Sequence, residues 1–166
     1  MIEFLIEKET IDYALNKLEK VKRSGNPEPS KFGFEKTRIL EGYIGERVVM
    51  QYLKIKKDVD CFEYDLLSNK GKRLEIKTIS CKSKPLENYL CTVNSHKTDG
   101  VHKQKADYYI FLRILKDYSK GWILGWFSCS DFFEKGEFIA KGKDFGNFKF
   151  TRANATVLPI NKLNKF

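Results

Sequence analysis

The sequence has few of the residues that form structural metal sites. Its only histidines are His96 and His102, and no two of its four cysteines form a CxxC pair. Structural zinc sites usually combine four cysteine and histidine ligands at short spacings, so this composition argues against a zinc-binding fold. We interpret the cysteines as reduced, mostly buried thiols. They are Cys61, Cys81, Cys91 and Cys129.

Long apolar runs are also absent from the sequence. No run reaches the roughly 18 consecutive apolar residues expected of a membrane-spanning helix. The first residues, MIEFLIEKETIDYAL, place no basic segment before an apolar stretch, as a secretion signal would. We therefore expect an intracellular, cytoplasmic protein that is soluble and has no membrane partner.

Two glycine-rich nucleotide-binding patterns are missing as well. The sequence contains neither GxxxxGKS nor GxGxxG, and no segment repeats at a fixed period. The first pattern cradles the phosphates of nucleoside triphosphates, and the second lets a backbone approach a dinucleotide. Their absence argues against an NTPase, a dinucleotide-dependent enzyme and a repeat protein.

Basic residues outnumber acidic residues in this chain. Its 31 Lys and Arg and 22 Asp and Glu give a net charge of +9 and a pI near 9.3. This balance favours a polyanionic partner such as DNA, and a solvated lysine-rich surface explains it equally well. The 166 residues are 42% hydrophobic and 14% aromatic, which predicts a folded domain with a substantial core.

The segment from Asp65 to Lys77 has the pattern of a β-hairpin. Apolar and polar residues alternate before and after residues 69–71, as expected of two strands. A three-residue loop that ends in glycine fits the turn, because glycine tolerates positive φ. Centring the pairing on Lys70 places Asp65 directly opposite Glu75.

This pairing predicts two carboxylates side by side on one face of a sheet. Directly opposed residues have Cβ atoms ~5 Å apart, where like charges are unfavourable unless a cation offsets their repulsion. Mg²⁺ prefers oxygen ligands and binds one or two carboxylates together with water and phosphate oxygens. Lys77 follows Glu75 by two residues, so the strand period points it to the same face. A lysine there can orient a water molecule or stabilise charge on phosphorus.

Glu46 is a second candidate, because it lies on the apolar stripe of a helix predicted from about Glu35 to Lys54. The stripe consists of Ile39, Gly42, Tyr43, Glu46, Val49, Met50 and Leu53. An ionised carboxylate that faces inward is costly unless it is paired or bound to a metal. Glu46 is therefore either a metal ligand or the partner of Arg38, Arg47 or a nearby lysine. Glu41 is predicted to fall off this stripe.

These motifs together resemble the PD-(D/E)xK nuclease superfamily, which includes many restriction enzymes and Holliday-junction resolvases. The resemblance rests on a helical glutamate, Glu46, then Asp65, nine further residues and Glu75-Ile76-Lys77. It covers about residues 39–127. The sequence departs from the pattern at Tyr64, where proline usually precedes the aspartate.

The resemblance implies an α/β fold with a restriction-endonuclease-like core, in which α-helices flank a mixed central β-sheet. It implies a Mg²⁺-dependent DNA endonuclease that hydrolyses phosphodiester bonds, with Mn²⁺ as a substitute metal. Asp65, Glu75, the backbone carbonyl of Ile76 and Glu46 are then expected to bind the metal. Lys77 is expected to position or activate the attacking water. Asp65, Glu75, Lys77 and Glu46 are the expected catalytic residues.

We accordingly predict one nuclease domain over residues 1–166. Residues 1–34 form a packing helix and loop, residues 35–128 the catalytic core, and residues 129–166 a C-terminal extension. One alternative is a Holliday-junction resolvase, which acts as a homodimer to cut two strands symmetrically. Another is a non-catalytic nucleic-acid-binding module, and a third is that the hairpin is only a surface element.

The segment from Asn94 to Lys105 is almost wholly polar or basic. Its lysines could contact a DNA backbone without regard to sequence. A solvated loop is an equally good interpretation. The resembled nucleases also carry a glutamine or lysine on a helix after the E-x-K strand. The predicted nucleic-acid contacts are Lys97, Lys103, Gln104 and Lys105.

The remaining pattern predicts a further helix and several strands. Apolar periodicity predicts a helix from Glu7 to about Lys22. The predicted strands are residues 87–93, 107–114, 122–127, 147–151 and 155–158, of which 107–114 is buried on both faces. Ser130 is the predicted N-cap of a short helix. Gly42 and Gly45 suggest that another backbone passes close to the second helix.

Overall fold

A computed structural model describes residues 1–23, 36–56, 59, 63–94, 105–144 and 153–166. Within these residues the chain forms eight strands, three α-helices and a short 3-10 helix. In chain order they are β1 (Ile2–Leu5), α1 (Lys8–Arg23), α2 (Lys36–Tyr52), β2 (Leu66–Leu67), β3 (Arg73–Cys81), β4 (Leu90–Asn94), β5 (Tyr108–Leu115), β6 (Lys120–Ser128), α3 (Cys129–Lys135), β7 (Glu137–Ile139), β8 (Ala155–Pro159) and the 3-10 helix Ile160–Lys162. The fold is mixed α/β, as predicted.

A mixed five-stranded sheet forms the centre of the fold. Its strand order is β1-β6-β5-β3-β2. β3 and β5 run parallel, whereas the pairs β1 with β6, β5 with β6, and β2 with β3 are antiparallel. A second, antiparallel sheet of three strands has the order β4-β8-β7. The predicted mixed central sheet is therefore confirmed.

β5 was predicted to be buried on both faces, and the structure confirms this. All six residues from Tyr109 to Ile114 are buried. Ile110 and Leu112 pack with Val48 and Val49 of α2. Side chains alternate along a strand, so Tyr109 and its neighbours of odd number face the opposite side of the sheet.

That opposite side packs against α3 and the second sheet. Tyr109 and Phe111 of β5 share a core cluster with Phe132 of α3, with Leu158 of β8 and with Ile160 after it. The phenyl rings of Phe111 and Phe132 stack with centroids 5.3 Å apart. The described parts of the predicted extension, residues 129–144 and 153–166, thus contribute directly to the core. None of the helices that the structure describes is long and apolar enough to cross a membrane.

The third predicted strand, residues 87–93, does not join the central sheet. It forms as β4, Leu90–Asn94, and pairs with β8 in the second sheet. Among the described strands, β2 covers only Arg73 and Leu74 on the outer edge of β3, and β4 nevertheless pairs in the second sheet. The predicted strand at residues 147–151 lies outside the described residues.

The short helix α3 is confirmed, but its predicted cap is wrong. The side-chain oxygen of Ser128 accepts a hydrogen bond from the backbone N–H of Asp131 at 3.1 Å. Ser130 lies inside the helix. Ser128 is the last residue of β6, so the strand leads directly into the helix that its hydroxyl caps.

The two glycines of α2 differ in their surroundings. A Cβ atom added at Gly45 would lie 1.9 Å from the hydroxyl oxygen of Thr78, whereas nothing lies within 4 Å of one added at Gly42. The predicted close approach therefore exists at Gly45, where the side chain of a β3 residue rather than a backbone comes near, and it is wrong at Gly42. Glu41 was expected to fall off the buried stripe but is buried. Its neighbours Leu40 and Tyr43 pack in the same cluster as Tyr118, so this side of α2 is covered as well.

Candidate active site

The predicted hairpin is present, with the predicted register. Leu66 pairs with Leu74 and Leu67 with Arg73, so the pairing is centred on Lys70. The backbone N–H of Ser68 donates to the carbonyl of Lys72 at 2.8 Å and closes a three-residue loop. The last loop residue, Gly71, has φ of +72°, the left-handed conformation that glycine was expected to supply.

Asp65 lies one residue before β2, just outside the last pair of the register, Leu66 with Leu74. Its backbone N–H donates to the carbonyl of Leu74 at 3.0 Å, and its Oδ2 accepts a hydrogen bond from the backbone N–H of Ile76 at 2.6 Å. The side chain of Asp65 thus accepts a hydrogen bond from the edge of β3 just before β2 begins. This bond fixes the carboxylate beside the strand that carries Glu75.

The pKa of Asp65 is raised to about 6. Burial is the largest cause, because it removes the carboxylate from water. The negative charge of Glu75 raises the pKa further, while the N–H of Ile76, Lys77 and Lys17 lower it. The two carboxylates are therefore close enough to repel each other, as the hairpin register predicts.

Glu75 and Lys77 lie on one face of β3 and contact each other. Glu75 is only 7% exposed, and its Oε1 lies 2.7 Å from the Nζ atom of Lys77. Lys77 also lies 6.0 Å from the centre of the Tyr109 ring. Leu74 and Ile76 pack on the other face, against α2. The prediction that Lys77 shares a face with Glu75 is confirmed.

Glu46 belongs to α2 and therefore approaches from the other side of the sheet. It is buried, as predicted, and its Oε2 lies 2.7 Å from the Nζ atom of Lys17 in α1. Glu46 therefore forms the ion pair that was one of the two alternatives, with Lys17 rather than Arg38 or Arg47. Arg47 pairs with Glu9 instead. The metal role of Glu46 stays a prediction.

Lys17 connects the two sides of the candidate site. It pairs with Glu46 and also lowers the pKa of Asp65 through its positive charge. The pKa of Asp65, at the sheet edge, therefore depends on Glu75 and Lys77 on one face of the sheet and on Lys17 on the other. The sequence offers a weak signal for Lys17, since it follows the buried Ala14 by three residues and so lies near the packing face of α1.

The oxygen atoms at the hairpin suit a hard divalent cation. The N–H of Ile76 points to Asp65, and in a strand the carbonyl of the same residue points to the same side. Asp65, Glu75 and the Ile76 carbonyl therefore offer oxygen ligands at one edge, within the one or two carboxylates usual for Mg²⁺. In the described part of the chain, no three His, Cys, Asp or Glu residues group at metal-binding distance. Glu46 accordingly does not join the two hairpin acids in such a group.

Of the predicted DNA contacts, only Lys105 lies in the described part of the chain. Lys97, Lys103 and Gln104 lie outside it. Lys105 is exposed, and its Nζ atom forms an ion pair with Glu63, just before the hairpin. The backbone N–H of Lys105 also donates to the carbonyl of Glu63 at 3.1 Å. Lys105 therefore lies near the start of the hairpin.

A bidentate ion pair that was not predicted joins the starts of β3 and β5. Arg73 donates to Asp107 from Nη2 at 2.8 Å and from Nε at 3.3 Å. These bonds and that of the Arg73 backbone N–H lower the pKa of Asp107 to about 2. The pair fixes the parallel register that places Glu75 beside Tyr109. The sequence alone does not predict this ion pair, because Arg73 and Asp107 lie far apart in the chain.

The described cysteines are free thiols, consistent with the expected reduced state. They are Cys81, Cys91 and Cys129. Burial raises the pKa of Cys91 and of Cys129 to about 12, so both are protonated near neutral pH.

No protein-family model matches this chain, and a search of curated proteins found no match.

Proposed function

We propose that this protein is a Mg²⁺-dependent endonuclease that hydrolyses phosphodiester bonds of DNA. The observation that carries the proposal is the position of Asp65, whose carboxylate accepts a hydrogen bond from the N–H of Ile76, the residue after Glu75 on the edge of β3. Lys77 contacts Glu75 from the same face. Two acids and a lysine so arranged are suited to bind a metal and a phosphate together.

Asp65, Glu75 and the backbone carbonyl of Ile76 are the residues that would hold Mg²⁺ or Mn²⁺. When bound, the metal supplies a Lewis acid for the phosphate and lowers the pKa of a coordinated water. The buried Asp65 favours such a cation, because burial and the charge of Glu75 both oppose its ionised form when no added cation is present. Glu46 is proposed as a further ligand or as a residue that places Lys17 near Asp65.

Lys77 is proposed to act on the water or the phosphate. Its ammonium group is held by Oε1 of Glu75 at 2.7 Å and lies near the Tyr109 ring, so it is ordered before a substrate arrives. A positioned ammonium can orient the attacking water by hydrogen bonding or stabilise negative charge that develops on the phosphate. It would do so without moving far from its position beside Glu75.

The restriction-endonuclease-like core is part of this proposal. The mixed sheet, the helix α2 on one face and the acidic hairpin at its edge are compatible with that core. The net charge of +9 favours a polyanionic substrate. Lys105, next to the start of the hairpin, is proposed to contact the DNA backbone together with Lys97, Lys103 and Gln104.

The direct test is cleavage of defined DNA substrates by the purified protein. Supercoiled, linear double-stranded, single-stranded and four-way-junction DNA are incubated with Mg²⁺, with Mn²⁺ or with EDTA. We expect cleavage with either metal and none with EDTA. Selective cutting of the four-way junction, together with a dimer in solution, would instead indicate a Holliday-junction resolvase. Binding to DNA without cleavage under every condition would indicate a non-catalytic module.

Matched variants separate the site from general charge effects. Lys77→Ala removes the proposed catalytic lysine, and Lys82→Ala removes an exposed lysine just beyond the same strand. We expect loss of cleavage only in Lys77→Ala. Equal activity in these two variants would contradict the assignment of Lys77.

A further inference from the structure

A groove of about 430 Å³ lies at the loop end of the catalytic hairpin. Among the residues that line it, Leu74 and Ile110 are buried, whereas Tyr108 and Trp126 are half-buried. We call it the hairpin groove. Its volume lies within the roughly 300–1,000 Å³ of pockets that bind small ligands or parts of larger ones.

Aromatic side chains give the hairpin groove flat, apolar surfaces. The rings of Tyr108 and Trp126 pack edge to face, with centroids 5.3 Å apart and an interplanar angle of 84°. Trp126 is also held in place by its indole N–H, which donates to the carbonyl of Lys165 at 3.2 Å, and by backbone hydrogen bonds with Asn164. The indole is thus oriented before any ligand binds, which reduces the entropic cost of stacking on it.

The rim of the hairpin groove is basic and polar. Lys70 in the hairpin loop and Lys72 directly after that loop are exposed and line the groove. The side-chain amide of Asn69 donates to the carbonyls of Leu53 and Lys54 at 3.3 and 3.4 Å. These bonds hold the loop against the end of α2. Two lysines beside apolar rings match a ligand that combines a flat ring with a phosphate.

We propose that the hairpin groove binds an unpaired base of the DNA strand while Lys70 and Lys72 contact its phosphates. The base stacks on Trp126 or Tyr108, because every base has a flat face that an aromatic ring can contact. In a duplex both faces of each base are already stacked on neighbouring bases. A groove that binds a base by stacking on its face therefore selects a single-stranded or extruded base. This inference rests on the proposed function and extends it to the kind of DNA that is bound.

The position of the groove suits a strand that also reaches the candidate active site. Ser68 lines the groove and lies three residues after Asp65 along the same edge of the hairpin. Extended chain rises about 3.3 Å per residue, so the groove begins roughly 10 Å from Asp65. Single-stranded DNA covers this distance within a few nucleotides. Leu74 and Ile110 of the groove lie on the face of the sheet that packs on α2, and Glu75 and Lys77 lie on the opposite face. A strand that reaches both therefore passes around the sheet edge at Asp65.

The intrinsic fluorescence of Trp126 gives a direct test in EDTA, where no cleavage is expected. The other tryptophan, Trp122, is 3% exposed in the core and reports little on ligands. The protein is titrated with a single-stranded oligonucleotide, with a duplex of the same sequence, and with an abasic strand of the same length. We expect strong quenching by the single strand, weaker quenching by the duplex and none by the abasic strand.

Three variants test the same assignment from the protein side. Trp126→Phe should lose the quenching but bind with nearly wild-type affinity, because a phenyl ring still stacks. Trp126→Ala should weaken single-strand binding by roughly 5- to 150-fold, equivalent to about 1–3 kcal/mol. Lys70→Ala should weaken the single strand and the abasic strand alike, whereas Lys116→Ala, at an exposed turn, should change neither.

The outcomes separate this inference from the proposed function. Base-dependent quenching without Mg²⁺-dependent cleavage would support the groove and overturn hydrolysis. Three results would overturn base binding in the hairpin groove while leaving hydrolysis in place. They are cleavage with no quenching, cleavage with equal quenching by the abasic strand, and cleavage with unchanged binding by Trp126→Ala. Absence of binding to any oligonucleotide would overturn the groove as well. The abasic comparison needs no variant, so a Trp126→Ala protein that fails to fold does not remove the test.

Discussion

The carboxylate of Asp65 accepts a hydrogen bond from the backbone N–H of Ile76 at 2.6 Å. Asp65 thereby uses its side chain where a longer β2 would have used its backbone. At Ile76, next to Glu75, the edge of β3 therefore has a carboxylate in place of a strand partner. This arrangement and the packing around it determine how the protein should respond to substitution, pH and salt.

The two hairpin acids should be essential for cleavage. Asp65→Asn keeps an oxygen that can accept the hydrogen bond from Ile76 but removes the negative charge. Glu75→Gln likewise removes a charge and keeps an oxygen that can accept from Lys77. We expect each to lower the cleavage rate by roughly 100-fold or more, the scale seen when one preorganised electrostatic contact is removed from a site. Single-turnover cleavage under Mg²⁺ measures this effect, with circular dichroism to check the fold.

Glu134→Gln supplies the control for these acids. Glu134 is an exposed acid on α3, away from the hairpin, so its variant should cleave at the wild-type rate. Wild-type cleavage by Asp65→Asn or Glu75→Gln would show that the metal binds elsewhere. Unfolding of both variants would show that the two acids serve the structure instead.

The raised pKa of Asp65 predicts how stability depends on pH. The pKa is about 6 in the folded protein against 3.8 for an ordinary aspartate, so the folded state binds this proton more tightly. The free energy of unfolding should therefore fall as the pH rises from about 4 to about 6. Above pH 6 Asp65 is ionised in both states, and the loss of stability should stay at its full value. Two pKa units correspond to at most about 3 kcal/mol.

Urea unfolding of wild type and Asp65→Asn across this range measures the effect. The variant carries no charge at this position, so it should be the more stable protein at pH 7, and the difference should disappear near pH 4. Mg²⁺ should raise the melting temperature of the wild type, more strongly above pH 6 than below, and should not affect the variant. An identical pH dependence in the two proteins would show that Asp65 titrates normally.

The ion pair between Lys17 and Glu46 should contribute to stability. Both side chains are largely buried, so Glu46→Gln leaves the ammonium of Lys17 in the interior without this carboxylate. We expect a loss of about 1–3 kcal/mol, with part of it recovered in the double variant Lys17→Met/Glu46→Gln. Denaturant unfolding of the single and double variants measures both effects.

Cleavage by the same variants tests whether Glu46 also serves the metal. If Glu46 is a ligand, the double variant should be stable but should need more Mg²⁺ for half-maximal rate. Full activity at wild-type Mg²⁺ would restrict Glu46 to its ion pair. Lys17→Met should also shift the lower pH limit of cleavage upward, because Lys17 lowers the pKa of Asp65.

Gly42 and Gly45 form a matched pair for testing the packing of α2. Gly45→Ala would bring a methyl group to 1.9 Å from the hydroxyl of Thr78, so the Thr78 side chain must turn away or α2 and β3 must separate. We expect a loss of about 1–3 kcal/mol and slower cleavage. Gly42→Ala meets nothing within 4 Å and should stabilise the helix by about 0.5–1 kcal/mol. Melting temperatures that moved in the same direction would contradict this packing.

Substitutions in the ion pair between Lys105 and Glu63 should change the affinity for DNA. Removing a lysine that binds one phosphate should flatten the slope of log affinity against log salt by about 0.9 for duplex DNA. Lys105→Ala should show this change, and Glu63→Gln should increase affinity because it releases Lys105 from its partner. Titrations between about 50 and 300 mM salt in Ca²⁺ measure both. Parallel lines for wild type and Lys105→Ala would place the DNA elsewhere.

The features predicted correctly from the sequence are local ones. The register of the hairpin follows from a short loop with glycine at its last position, and this brings Asp65 near Glu75 without knowledge of the rest of the fold. The burial of Glu46 follows from helical spacing. The common face of Glu75 and Lys77 follows from the strand period.

The features that were not predicted depend on contacts between distant segments. Lys17 meets Glu46 only because α1 packs on α2, and no pattern within either helix names its partner. β1 and β7 have four and three residues, too few for their alternation to stand out. The position of β4 in the second sheet depends on its pairing with β8, a segment far along the chain.

The parallel pairing of β3 with β5 also bears on the order in which the chain folds. It joins residues far apart in sequence, such as Leu74 and Tyr108, whereas the hairpin joins near neighbours. Closing a longer loop costs more entropy, so distant pairings generally form later. Asp65 and Glu75 are then expected to meet while still in water, where their repulsion is weak. The altered acidity of Asp65 would arise only when β5 and the helices close around it, so the chemistry of the site would be among the last properties to appear as the chain folds.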